Sequence, residues 1–290
     1  MKRMNKAPRG GFTLLELLVV VAILATVAGG LLVSYDGPET DAAEGTATFN
    51  IAATDKAVRA FKVINKVYPD NLDSLVVNDS NAFSVALPPK LQGSDGDETT
   101  DAVANSNADD GKLAFHVLTA EGAAALNAAG VTTLRSISGA QTNEPTDIPN
   151  RVFDEPTRGR GISVPVAAGA RVAIIETLGI GHGDSNRLRD IAGLDLNSQH
   201  IVACFGLGNN STMVTSEVPG GLSEAPFYSK VERDEYGRYL LLFHLASDGA
   251  DAGATVDAAE YFSTAKFLGV LDTRGDWLDE EYAEFTNQKQ

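Results

Sequence analysis

Glu16 is the first residue whose setting demands a chemical explanation. It stands in "GGFTLLELLVVVAILATVAGG", Gly10 to Gly30, a run that is otherwise apolar or small apart from Thr13 and Thr26. An ionisable group at mid-helix depth in a bilayer costs about 2.5–3.5 kcal/mol on insertion scales, so it implies a partner that offsets that cost. A second candidate lies late in the chain. "ASDGADAGATVDAAEY" places Asp248, Asp251, Asp257 and Glu260 close together, with Gly249 and Gly253 allowing tight turns. Hard cations take several carboxylate and carbonyl oxygens from a flexible loop, so this stretch is a candidate calcium site, although it does not follow the EF-hand frame. "GSDGDE" offers a weaker set in Asp95, Asp97 and Glu98.

Other reactive types fall into no catalytic pattern. His116, His182, His200 and His244 sit at no metal-ligand spacing, and His116 and His244 lie inside apolar runs. Each is expected to be a hydrogen-bonded core or edge residue. "GIGHGDSNRLRD" has glycines but neither a phosphate-cradling frame nor a lysine. No G-x-S-x-G elbow occurs. Cys204 is the only cysteine, which rules out an internal disulfide and a thiolate cluster. "DTRGDWLDEEYAEF" contains Arg274-Gly275-Asp276, which reads as a turn on Gly275 or as an adhesion tripeptide. Trp277, the single tryptophan, is expected to seal the sheet against a helix. Nothing in these residues argues for an enzyme.

The elements that must position these groups follow from charge and hydropathy. The chain has 290 residues, 43% hydrophobic and 21% charged, which suits a globular protein of one or two domains. Its net charge is −16, yet "MKRMNKAPRGG" at the start carries Lys2, Arg3, Lys6 and Arg9 and no acid. The remainder is more acidic still and should repel nucleic acid, so no nucleic-acid partner is expected. From Phe12 to Val33 the chain is long and apolar enough to cover the roughly 30 Å hydrocarbon core as a helix. The basic start orients that end to the cytoplasm and puts the body outside it. A secretory signal peptide cut near Ala28 is the alternative, and it leaves Glu16 without a use.

"RGGFTLLELLVVVAILA" resembles the N-terminal signature of type IV pilins and type II secretion pseudopilins. That resemblance implies a leader, residues 1–11, ending at Gly11 and removed by prepilin peptidase. Phe12 would become the methylated mature N-terminus, and Glu16 would be the family's acidic residue just inside the apolar run. A carboxylate four residues beyond a new amine can pair with it, in the same or a neighbouring subunit, and the attraction is strong in low dielectric. Glu16 would then set the register of assembly with identical or related subunits on an inner-membrane platform. "AVRAFKVINKVYPDNLDSLV" is similar to the segment after the long helix of major pseudopilins, where Tyr-Pro precedes a short amphipathic element. The resemblance covers Met1 to Val77. Major pseudopilins often bind calcium late in the head, which supports the Asp248 loop.

Residues 12–67 are expected to form one long helix, transmembrane over 12–33 and interrupted near Gly37-Pro38, with 29–40 its least regular part. Ala47, Ile51, Thr54, Val58, Phe61 and Asn65 make an apolar stripe at helical spacing, widened by Ala57, Ile64 and Tyr68. The helix should end before Pro69 and a short turn-helix should come after it. "LTAEGAAALNAAG" predicts a second helix, capped by Thr119 and ended by Gly130. "RVAIIETL", "HIVACFGLG", "RYLLLFHLA" and "AKFLGVL" predict strands. The fold class is therefore α+β: a long N-terminal helix packed on a mostly antiparallel sheet, with enlarged loops in an extracytoplasmic head over 68–290. The expected function is a filament subunit, most closely a type II secretion pseudopilin. A type IV pilin or minor tip pilin with an adhesive or uptake role is the alternative. A membrane-tethered enzyme or binding protein is the rival from another class, and it predicts a pocket of perturbed titratable groups.

Overall fold

The computed structural model describes residues 14–76, 83–84, 87–88, 91, 113–137, 163–175, 193–194, 200–214, 218–228, 230–231, 235–247 and 260–286, without the side chains of 26–44 and 284–285. The chain divides into two units, Met1–Glu44 and Gly45–Gln290. Helix α1, Leu14–Asn65, supplies all the described structure of the first unit and the opening element of the second. Its helical assignment runs through Gly37 and Pro38 without a break, where an interruption was expected. Proline's ring fixes φ at about −65°, within the helical range, so Pro38 removes one ladder hydrogen bond without forcing the backbone out of helical dihedrals. Among the described residues no helix is long and apolar enough to cross a membrane.

In the second unit the anticipated stripe is the buried one. Ala47, Ile51, Thr54, Val58 and Phe61 are buried, while Ala57, Asn65 and Tyr68 are half-buried and Ile64 is exposed. The helix stops at Asn65 because Lys66 takes a left-handed φ of 66° and its N–H closes on the Lys62 carbonyl at 2.9 Å. Pro69 could not have continued it. The next element is a strand, β1 Leu72–Ser74, and not the expected turn-helix. Asn71 is also left-handed, at φ 56°, which breaks any helical restart.

The remaining elements are β2 Leu113–Val117, α2 Ala120–Ala129, β3 Thr133–Ser136, β4 Ser163–Pro165, β5 Arg171–Ile175, β6 His200–Gly206, β7 Leu240–Ser247, β8 Tyr261–Leu271 and α3 Leu278–Phe285. The four strands anticipated from sequence are β5 to β8. All eight strands join one sheet built around β6. β7 lies along the whole of β6, so β5 and β1 share its other edge, meeting it at Cys204 and Gly206 respectively. β2 extends the sheet beyond β5, β8 beyond β7, and β3 then β4 beyond β1. Every pairing is antiparallel except β1 with β3.

Period-two alternation splits the core into two layers. Ile201, Ala203 and Phe205 of β6 and Leu241, Phe243 and Leu245 of β7 face a cluster with Ile51, Val58 and Phe61 of α1 and Leu126 of α2. Val202, Cys204, Leu240 and Leu242 face the other way, toward Leu75, Leu87, Leu91 and Trp277. Both faces of the central strands are thus covered, which explains why "HIVACFG" and "LLLFHLA" are nearly continuous apolar runs. α2 begins and ends where expected. The Thr119 hydroxyl accepts from the Gly122 N–H at 3.1 Å, and Gly130 closes the helix at φ 108°. Gly130 also lies so near α1's exit that a β-carbon there would approach Val67 Cβ to 2.6 Å.

Candidate functional site

Of the assembly residues singled out from sequence, Gly11 and Phe12 lie outside the described residues. Glu16 is exposed and lies in the first turn of α1. Leu14, Leu15, Leu17 and Leu18 around it are exposed too, Leu14 by 83%. Every described side chain from 14 to 25 is exposed. Such a surface is apolar all round apart from Glu16, and helices of that kind are stable only when something covers them.

The Tyr68-Pro69 pair has a structural role. The Tyr68 N–H donates to the Ala129 carbonyl at 2.8 Å, and its ring packs edge-on to Phe243 at 5.4 Å. Asp70 beyond it accepts from the amides of Asn71, Thr132 and Thr133, each at 2.8 Å, and its own N–H donates to the Thr212 hydroxyl. Burial works to raise its pKa, but the hydrogen bonds from Thr132, Thr133 and Asn71 outweigh it and hold the carboxyl below its ordinary range. Tyr68 to Asn71 therefore ties α1, α2, β3 and the loop after β6 together.

Of the calcium candidates in sequence, Asp248, Asp251 and Asp257, with Asp95, Asp97 and Glu98, lie outside the described residues. Glu260 is half-buried at the start of β8. The structure instead gathers a different acidic group. Asp272, Asp276 and Glu281 are 0%, 7% and 0% exposed, and one oxygen from each lies within 4.8 Å of the others. The turn after β8 places the first two. Asp272 Oδ1 accepts from the N–H groups of Arg274 and Asp276 at 2.7 and 2.8 Å, and Gly275, at φ 81°, donates to the Asp272 carbonyl. α3 places the third, its start fixed by Glu280 Oε2 accepting from the Trp277 N–H at 2.8 Å. Glu281 accepts from the Tyr228 hydroxyl at 2.8 Å and pairs with Lys230 Nζ at 3.1 Å. Asp272 Oδ2 and Thr273 Oγ1 are buried without a hydrogen-bond partner among the described residues. Burial first, then the charge of Asp276, pushes the Asp272 carboxyl well above its ordinary range.

Arg274-Gly275-Asp276 is this same turn, with the Asp276 carboxylate buried, so the tripeptide is not displayed for adhesion. In the sequence these acids are visible only as neighbours of Trp277, because Tyr228 and Lys230, which define their burial, arrive from some fifty residues upstream. Trp277 itself covers the second face of the sheet beside Leu240, Leu242 and Leu271.

The histidines correct an expectation. His182 lies outside the described residues. His116 Nε2 is buried with no hydrogen-bond partner among the described residues, whereas it was expected to be satisfied; β2 pairs only with β5, and no described polar side chain reaches across to it. His200 and His244 meet across β6 and β7, Nδ1 to Nε2 at 3.2 Å. Burial first, then His200, lowers the His244 pKa to about 4.

One groove of about 730 Å³ opens between Ile51–Arg59 of α1, Leu268–Val270 of β8 and the start of α3. Its lining contains no histidine, cysteine or serine. Its Arg59 is bound to Asp55 at 2.8 Å and to the Leu268 carbonyl at 3.0 Å. The perturbed carboxyl of Asp272 does not line it. The lining of this groove is thus not the convergent set of perturbed groups that the rival reading predicts.

Comparison with known proteins returns to the N-terminus. A family described as the prokaryotic N-terminal methylation motif matches residues 6–32. The chain is 37% identical over 84 residues to the type II secretion system core protein G of Vibrio cholerae serotype O1, a match covering 28% of this chain and 56% of the relative. The chain thus spans about half the length of the curated relative it matches. No solved structure matches.

Proposed function

We propose that this chain is a pseudopilin-type subunit of a type II secretion-like filament, processed after Gly11 and polymerised through its N-terminal helix. The observation that carries the reading is the coincidence of three things on one stretch. The methylation motif covers residues 6–32, Glu16 is the one acid in the apolar run, and α1 begins with an apolar surface exposed on all sides. The similarity to a type II secretion core protein supports the same assignment. Phe12 to Val33 anchors the subunit in the inner membrane before assembly, with the head outside the cytoplasm, and then packs against neighbouring subunits. Glu16 supplies register: in low dielectric its carboxylate pairs strongly with the N-terminal amine of the same or a neighbouring subunit. Prepilin peptidase, related subunits and an inner-membrane assembly platform are the partners this role requires. The role is structural and not catalytic.

Glu16→Gln and Glu16→Ala test the mechanism. Both should leave the membrane-held precursor at wild-type level and abolish its recovery in a sheared filament fraction. Undiminished filaments from either variant would contradict it.

Size favours a second version of the same reading. The matched residues are 28% of this chain and 56% of the relative, so this chain is about twice as long. A minor or tip subunit carries a larger head more readily than one repeated throughout a filament. Labelling the subunit in isolated filaments distinguishes the two: signal confined to ends supports the tip role, and signal along the length supports the major role.

A further inference from the structure

We propose that the groove between α1, β8 and α3 binds a small ligand with one carboxylate on a medium-chain acyl body, the carboxylate held by Lys56. This role is independent of the filament role, which rests on the methylation motif over residues 6–32. The groove measures about 730 Å³. Small-ligand sites span roughly 300–1,000 Å³ and combine apolar walls with a few placed polar groups. The apolar walls here come from Ile51 and Ala52 of α1, Leu268 and Val270 of β8, and Leu278 of α3. Leu278 is 40% exposed, so the groove offers water an apolar surface that an acyl chain would cover.

Its shape is set before a ligand arrives. Arg59 donates to both carboxylate oxygens of Asp55, at 2.8 and 3.1 Å, and to the Leu268 carbonyl at 3.0 Å, which fastens α1 to β8. A preformed site avoids the cost of ordering its walls on binding. The polar groups left over are donors. The side chains of Lys56, Trp277 and Tyr282 line the groove and make no hydrogen bond or ion pair among the described residues. Trp277 is only 3% exposed, so few acceptors other than a seated ligand can reach its indole N–H. An ammonium and an indole N–H can donate and cannot accept, which complements a carboxylate. Asp279, exposed on the α3 wall, disfavours a second carboxylate on the ligand. Lys56 is itself exposed, and an exposed ion pair alone contributes little. The apolar walls therefore supply most of the affinity, and Lys56 fixes the orientation.

The test uses the full-length protein in lipid nanodiscs, with octanoate as the probe. Trp277 is the only tryptophan and lines the groove, so its fluorescence reports binding there. We expect a saturable change with octanoate, none with acetate, which lacks the chain, and none with octylamine, which reverses the charge. Lys56→Met should weaken octanoate binding by about five- to tenfold. Ala52→Phe, which fills the groove and leaves Lys56 in place, should abolish it. Absence of a saturable change with millimolar octanoate in the wild type overturns the proposal. An equal response to octylamine, or octanoate affinity unchanged in Lys56→Met or Ala52→Phe, overturns it too.

Discussion

His244 shows how a single buried group acts on the stability of the whole head. Its imidazole faces His200 of β6 at 3.2 Å, the Phe262 ring at 4.8 Å, and Lys266, its cross-strand partner on β8. Burial, His200 and Lys266 all disfavour a charged His244, and its pKa falls to about 4. The unfolded chain, with an ordinary histidine near 6.5, binds a proton that the folded chain refuses across that interval. Stability from this group is therefore complete above about pH 6.5 and is lost as pH falls toward 4, by up to about 1.4 kcal/mol per pH unit. Denaturant midpoints measured from pH 7 to pH 4.5 should fall less steeply in His244→Phe than in the wild type; parallel slopes would contradict this linkage. The pair was not legible in sequence. His200 and His244 are 44 residues apart, and only the β6–β7 register brings them together. The buried acids were hidden for the same reason: "DTRGDWLDEE" reads as a turn on Gly275, and only Tyr228 and Lys230, from far upstream, reveal Glu281 as buried. Glu16, by contrast, stands out in the sequence at once, because the apolar run around it is local.

Long or strongly patterned elements were readable, and short ones were not. The stripe from Ala47 to Phe61 repeats at helical spacing over four turns, and it is the buried face of α1 in the head. α2 was readable from its ends, since Thr119 and Gly130 have cap chemistry that depends on neighbours in sequence alone. β1 was misread as helix because three residues carry no period; Leu72–Ser74 is a strand by virtue of its parallel partner β3. β2, β3 and β4, each of five residues or fewer, were missed too, whereas β5, also of five residues, was readable from its β-branched Val172, Ile174 and Ile175. The joint between α1 and α2 yields a test at this scale. Gly130 needs both a left-handed backbone and an absent side chain, given the 2.6 Å approach to Val67. Gly130→Ala should destabilise the protein by about 1–2 kcal/mol for the backbone conformation alone, and by more from the clash. Chemical denaturation checks this, and a change below about 0.5 kcal/mol, the range of an ordinary surface substitution, would show that the joint yields freely.

At the scale of the molecule, the division into two units follows composition. One unit carries the exposed apolar start of α1 behind a basic N-terminal stretch, and the other folds around a sheet whose central strands are covered on both faces. The described side chains of the first, Leu14 to Ala25, are all exposed, as the proposed membrane and filament contacts would require. The second has a two-layer core. Such a division suits the proposed subunit, stored in a bilayer and then polymerised, for which processing after Gly11 is the proposed step between. The filament role therefore rests on where the mature chain begins. Intact mass and N-terminal sequencing of the protein from its native membrane or filament fraction measure that directly. A chain beginning at methylated Phe12 is the predicted result. A chain beginning after Ala28, or one retaining Met1, would contradict it and remove the register role of Glu16.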